Sequence, residues 1–345
     1  MHIPDGYLSP VSSVTMYAVS TPFLIKASRE VSKRLDNKTV PVISLFSALS
    51  FLIMMFNIPL PGGTTGHAVG ATIVSIVLGP WIAMLSVSIA LVIQALFFGD
   101  GGILTLGANI FNIAIVMSLA GYYIYRFLEK WAKNNPKRKI IFSAVAGYIA
   151  INLAALCTGI ELGLQPVLFQ NTQGQALYFP YTLYVSVPAM MIGHIVIAGL
   201  AEAVITGLTL SWIFRTNPGL IMEGRKEKSE KSSFLKWSIA IIGLLIFLSP
   251  LGLLAPGTAW GEWGREELAS LGLGYIPQGF DRWADFWKAP IPDYDLSMLG
   301  NPAFAYILSG FIGVIITVGC IWGISYLVMK VAHIGKQQRN ISRSN

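Results

Sequence analysis

Charge is what this 345-residue sequence has least of: 12% of it is Asp, Glu, Lys or Arg, against roughly 25% in a soluble globular domain. Cysteine is nearly absent. Cys157 and Cys320 both lie in apolar runs, which excludes a disulfide framework and a thiolate metal cage. No G-x-x-x-x-G-K-[ST] phosphate loop occurs, so the chain cannot use ATP by the usual route. Neither G-x-S-x-G nor H-E-x-x-H is present to signal hydrolysis. The opening residues, MHIPDGYLSP, lack a basic stretch and run into a helix, so no cleavable signal peptide is expected.

What the sequence does have is length of apolar run. Hydrophobic residues make up 54%, and several runs are long enough to cross ~30 Å of hydrocarbon. Nine spans are expected, near 10–27, 40–59, 66–79, 81–98, 103–127, 140–160, 182–213, 237–256 and 302–330. The third is the shortest, rising only ~21 Å as a helix, and Gly79-Pro80 cuts it from the fourth. Basic residues test this layout. Lys26–Lys38, Arg126–Lys139, Arg215–Lys236 and Lys330–Arg343 hold 21 of the 24 Lys and Arg, all on one side of a nine-span chain. Cytoplasmic loops favour Lys and Arg. The expected fold is therefore an all-α polytopic membrane protein, amino terminus outside and carboxyl terminus cytoplasmic. The +7 net charge then reflects cytoplasmic loops, and no nucleic-acid partner is implied.

A basic, polar stretch around GRKEKSEKSS divides the chain. The expected units are a seven-span domain at 1–217, a cytoplasmic linker at 218–236 and a two-span domain at 237–345. The second domain carries an outer loop, 257–301, with Trp260, Trp263, Trp283 and Trp287. Those tryptophans suit an aromatic belt at the membrane surface, or a loop packed on the first domain.

The chain has four histidines, and two stand where chemistry is expected. A free Met1 amine, the His2 backbone nitrogen and His2 Nδ1 form a tridentate chelator through fused five- and six-membered rings. These nitrogens are nearly coplanar and leave one in-plane corner open. Binding through an amide nitrogen costs its proton, which Ni(II) or Cu(II) can drive, and planar nitrogen sets favour those ions. A frayed terminus is the bland alternative. His67, in PGGTTGHAVG, is a candidate for the fourth corner. Residues 1–9 can stretch ~30 Å to reach it, and a helix amino terminus there would keep its imidazole neutral. Thr65, Asn109 and Asn112 are candidates to support the site, with Thr105 a turn above Asn109; the asparagines serve equally well as interhelical contacts. His194 and Glu202 share a helix face and suit a proton relay or a helix contact. Met54, Met55, Met190 and Met191 are expected to be apolar filler.

MHIPDGYLSP, GTTGHAVG and ALFFGDGGILTLGANIFN resemble the substrate-specific M component of nickel/cobalt energy-coupling-factor transporters, over about 1–215. Residues 237–330, with PDYDLSMLGNPAFAYILSG, resemble the small two-helix N component, here fused. The resemblance implies a seven-helix S-component bundle plus a two-helix unit. It implies a metal ion held by the Met1 amine, the His2 amide nitrogen and Nδ1, and His67. It further implies a transmembrane coupling (T/Q) subunit and cytoplasmic ATPase (O) subunits, in the cytoplasmic membrane of a prokaryote. The chain by itself would not be an enzyme, and the ion would be cargo, not cofactor. MHIPDG, in place of the MHIMEG of cobalt members, favours Ni(II) over Co(II). A stand-alone, proton-coupled metal transporter working through His194 and Glu202 is the alternative from another class.

Overall fold

The computed structural model describes residues 1–345 except 37–38, 61–63, 134, 221–230, 256–257 and 345; the side chains of 218, 231–234 and 331–344 also lie outside the description. The chain is 73% helical. Among the described residues six helices are long and apolar enough to cross a membrane: Pro80–Phe98, Leu106–Glu129, Pro136–Leu168, Leu183–Thr216, Leu235–Leu254 and Pro302–Lys330. Most of the expected linker, 218–236, falls on undescribed residues.

The chain enters its first helix, α1 (Pro10–Ser32), through a well-formed cap. Ser9 is extended, its Oγ accepts from Ser12 N at 3.0 Å, and Pro10 follows at a position where a missing N–H costs nothing. Ser9 N in turn donates to Gln165 Oε1 at 3.0 Å. That bond ties the start of α1 to the Pro136–Leu168 helix and fixes the point from which residues 1–8 depart. They run inward, not out: Ile3, Tyr7 and Leu8 are buried.

Two of the expected spans take another form. The second helix, α2 (Val40–Met54), stops well before residue 59. Ile58–Leu60 (β1) and Thr64–Gly66 (β2) then pair antiparallel, Ile58 opposite Gly66. In place of a third span at 66–79 there is an eight-residue helix, α3 (Ala71–Leu78), every residue of which is buried. At 1.5 Å per residue α3 is about 12 Å long, too short to span the hydrocarbon as a helix by itself. A hairpin and a short helix are tolerable in an apolar bundle because protein, not lipid, surrounds their backbone. The fourth helix, α4 (Pro80–Phe98), follows directly after Gly79.

The outer loop, described over 258–301, does not stand free of the rest of the chain. It packs across the first domain. Trp260 and Trp263 meet Phe179 at ring-centroid separations of 5.5 and 6.3 Å. Tyr7 Oη donates to the Trp263 carbonyl at 2.9 Å, and Tyr7 stands 4.9 Å from Phe280. Trp287 Nε1 donates to Leu96 O at 2.8 Å, and Ile291 N to Phe97 O at 2.9 Å. Burial of large aromatic surface outweighs what these rings would gain at a water interface. The helix starting at Pro302 lies on α2, where Tyr306 Oη donates to Met55 O at 2.8 Å.

Candidate metal centre

Met1, His2 and His67, distant in sequence, lie together and are all buried. The His2 and His67 rings stack with centroids 5.0 Å apart at 26°. The amino-terminal segment is held there by residue 3, whose backbone is gripped on both sides. Ile3 N donates to Asn109 Oδ1 at 2.7 Å, and Ile3 O accepts from Asn109 Nδ2 at 3.1 Å, from Gly102 N at 2.9 Å and from Thr105 Oγ1. Asp5 adds a second anchor, accepting from Ile103 N and Leu104 N at 3.1 and 2.8 Å. Such close contact requires the glycines of the FFGDGG turn. A Cβ on Gly102 would sit 2.1 Å from Asp5 Oδ1, and Gly101 has φ +84°.

Three groups with metal-binding chemistry therefore converge: an amine and two imidazoles. Among the described residues no cluster of three or more His, Cys, Asp or Glu could hold a metal. The terminal amine and the backbone nitrogens are donors outside that count. The His67 ring is set for this. Nδ1 lies 3.0 Å from Ala68 O and donates to it, which leaves the lone pair on Nε2, and Nε2 is buried without a hydrogen-bond partner. Metal-ligating histidines are fixed in this way by a bond from the other ring nitrogen. Burial above all, helped by the adjacent His2 ring and the Met1 ammonium, pushes the His67 pKa down to about 3. It is neutral and able to ligate at any physiological pH.

The cause of that neutrality differs from the expected one. The α3 helix begins at Ala71, capped at Gly70, so His67 lies outside its first turn. The field of the α3 amino terminus is met by Glu202. Its carboxylate accepts from Val69 N at 2.7 Å and from Gly70 N at 3.0 and 3.2 Å. Glu202 is fully buried, so it clamps the loop that carries His67 onto the Leu183–Thr216 helix. Replacing Glu202 by alanine strands two buried N–H groups, each at about 1–3 kcal/mol. A clear fall in the thermal midpoint in detergent is the expected result, with Glu202→Gln between the two; an unchanged midpoint for the alanine variant would contradict the clamp.

Two carboxylates complete the surroundings, and neither was singled out from the sequence. Asp100 Oδ1 lies 2.7 Å from His2 Nδ1, off the line of a hydrogen bond. Its Oδ2 accepts from Tyr294 Oη at 2.7 Å, and Gln94 Nε2 supports both. Burial would raise the Asp100 carboxyl, but His2, His67 and the Tyr294 hydroxyl hold it well below the ordinary carboxylate range. The Met1 ammonium meets Glu262 Oε1 at 3.1 Å. Glu262 and Tyr294 belong to the packed outer loop, so that loop reaches the candidate centre directly. The FFGDGG and PDYDLS motifs were the available signals, but motif alone did not reveal who meets whom.

Of the other expected site residues, Asn109 and Thr105 hold the terminal segment as described. Asn112 instead donates to Glu161 Oε2 at 2.7 Å, a helix-to-helix contact. Thr65 is buried in β2 and bridges to Ala259.

Residues 2–220 match the family model described as the cobalt uptake substrate-specific transmembrane region, and residues 235–330 match the PDGLE domain. The fused nickel transport protein NikMN of Rhodobacter capsulatus is 42% identical, over 92% of this chain and 95% of its own. The probable fused nickel transport protein LarMN of Lactiplantibacillus plantarum is 40% identical, over 94% and 98%. A crystal structure of a transition metal transporter is 48% identical with a TM-score of 0.60, covering 70% of this chain and 99% of its own. With its six apolar helices and these relatives, the chain is a multi-pass membrane protein that belongs to the cobalt uptake substrate-specific transmembrane family, in the form that continues into a PDGLE domain.

Proposed function

We propose that this chain is the metal-binding membrane subunit of an ATP-driven energy-coupling-factor importer for Ni(II). The Met1 amine, His2 backbone nitrogen, His2 Nδ1 and His67 Nε2 hold the ion in a plane. The observation that carries this is the stacked His2–His67 pair with its unpartnered His67 Nε2. With metal–nitrogen bonds of about 2 Å, two imidazoles on adjacent corners of a square have centroids roughly 4–5 Å apart. The observed 5.0 Å needs little adjustment. The ion displaces the Met1–Glu262 and His2–Asp100 contacts, and the two carboxylates, left beside it, offset its charge. Co(II) in the same role is the alternative within the class. The names of the NikMN and LarMN relatives favour nickel.

In this reading residues 1–217 form the metal-binding domain, 218–236 a cytoplasmic linker and 237–345 the two-span unit. The amino terminus faces outside and the carboxyl terminus the cytoplasm of a prokaryotic cell. Separate coupling and ATPase subunits supply the nucleotide chemistry, and the chain is no enzyme by itself. Glu202 argues against the stand-alone proton-coupled reading, since its carboxylate is committed to the α3 start.

The test is the metal content and visible spectrum of protein purified with a free Met1 amine. One equivalent of yellow, diamagnetic nickel is expected. A green, paramagnetic complex, or none, would remove the planar site. Uptake by cells expressing this chain without any ATPase partner would favour the stand-alone reading.

A further inference from the structure

His194 takes no part in the centre described above, yet it is built in the same way. It opens a π-helical turn, His194–Ala198, within the Leu183–Thr216 helix, a distortion that often marks functional positions. Its Nδ1 lies 2.7 Å from Met190 O and donates to it, which leaves the lone pair on Nε2. That nitrogen is buried and has no hydrogen-bond partner. A buried, unsatisfied polar atom calls for an explanation. His194 lines a cavity of about 340 Å³ together with Met1, Thr64, Thr65, Met190 and Trp260.

We propose that this cavity is a transit site for the incoming divalent transition-metal ion, anchored by His194 Nε2 and completed by water. The inference rests on the planar reading of Met1, His2 and His67. An amide nitrogen yields its proton only to an ion that another ligand already holds nearby. In the chelate that first ligand would be the Met1 amine or His2 Nδ1. The amine is engaged by Glu262 at 3.1 Å, and Nδ1 is crowded by Asp100 at 2.7 Å without a hydrogen bond to it. His194 offers an imidazole whose Nε2 has no hydrogen-bond partner, in the same cavity that Met1 lines, and imidazole suits nickel, cobalt, copper and zinc alike. A single protein ligand holds the ion weakly, as a waypoint requires. The ion then passes to the Met1 amine as Glu262 lets go, the His2 amide proton leaves to water, and the plane closes with His67.

Stopped-flow mixing of Ni(II) with the full chain, read at the absorption of the planar complex, tests this. His194→Ala and His194→Gln are expected to slow formation about tenfold or more, while the slow phase ends in the wild-type spectrum. Ala189→Leu, which narrows the cavity and leaves His194 in the sequence, should slow it likewise. Wild-type rates in His194→Gln and Ala189→Leu would overturn the proposal. A second arm stands apart from the planar site. With the Met1 amine acetylated, Co(II) should still give a weak d–d band that disappears on His194→Ala. A band that survives, or no band before the substitution, refutes the transit site. Loss of the planar spectrum in the native-start protein would instead refute the chelate.

Discussion

Acetylation of the Met1 amine abolishes planar nickel binding. The acetyl group turns a basic amine into an amide and brings no new amine with it, which removes one nitrogen and with it the five-membered ring that makes the His2 amide acidic. Sterics act in the same direction. The Met1 side chain is fully buried, with Glu262 against the amine, so an acetyl group has to push into that contact. A ligand that binds only the folded state stabilises by RT ln(1 + [L]/Kd), about 2.7 kcal/mol at a hundredfold excess over Kd. The measurement is therefore the nickel-induced rise in thermal midpoint, alongside metal content. The free-amine protein should show the rise, and the acetylated protein should be insensitive to nickel over the same range. An equal rise in both would mean that the terminal amine is not a ligand.

The long helices were legible because each is a local property of the chain. Runs such as Pro80–Phe98 and Leu235–Leu254 declare themselves by hydropathy alone. The stretch IPLPGGTTGHAVGATIVSIVL did not, and the reasons are physical. Strands of three residues are too short to show a period of two, so β1 was taken into the end of the second expected span and β2 fell mostly in the turn before the third. The α3 helix was expected where apolar residues begin, but its start is set by Gly70 in a left-handed conformation and by Glu202, which lies 132 residues away. The packing of the outer loop was equally hidden. Trp260 and Trp263 read the same in sequence whether they face lipid headgroups or Phe179.

The candidate site was legible where chemistry is carried by neighbouring residues. An amine followed by histidine is a chelator by bonding alone, and histidine is scarce enough here that His67 stood out as its partner. Asn109 was found through its place on a helix face, and the structure puts both its amide atoms on Ile3. Asn112, three residues on, shares that face yet reaches Glu161. Helical spacing says which residues neighbour each other, not what lies opposite. Asp100 and Glu262 were missed because acidic residues in loops usually face solvent. Only the fold brings them against His2 and the Met1 amine.

His67→Ala separates the chelate from a simpler site made by two imidazoles. If Met1 and the His2 backbone contribute nothing, losing His67 leaves a single histidine and no specific binding, while acetylation of Met1 is harmless. The chelate predicts the reverse order of severity. Without His67 the amine, amide and His2 Nδ1 still hold three corners, and water takes the fourth. Affinity should fall by several kcal/mol, about a hundredfold or more, with the planar band shifted by the weaker oxygen donor but still present. The ring that is lost stacks 5.0 Å from His2 and is buried, so its removal opens a hole of imidazole shape beside the ion. Free imidazole at millimolar concentration should enter that hole, bind the open corner and return both band position and affinity toward wild type. Titration of His67→Ala with nickel, with and without imidazole, reads both effects. Complete loss of the planar band that imidazole does not restore would place the weight of binding on His67 and dismiss the terminal chelate.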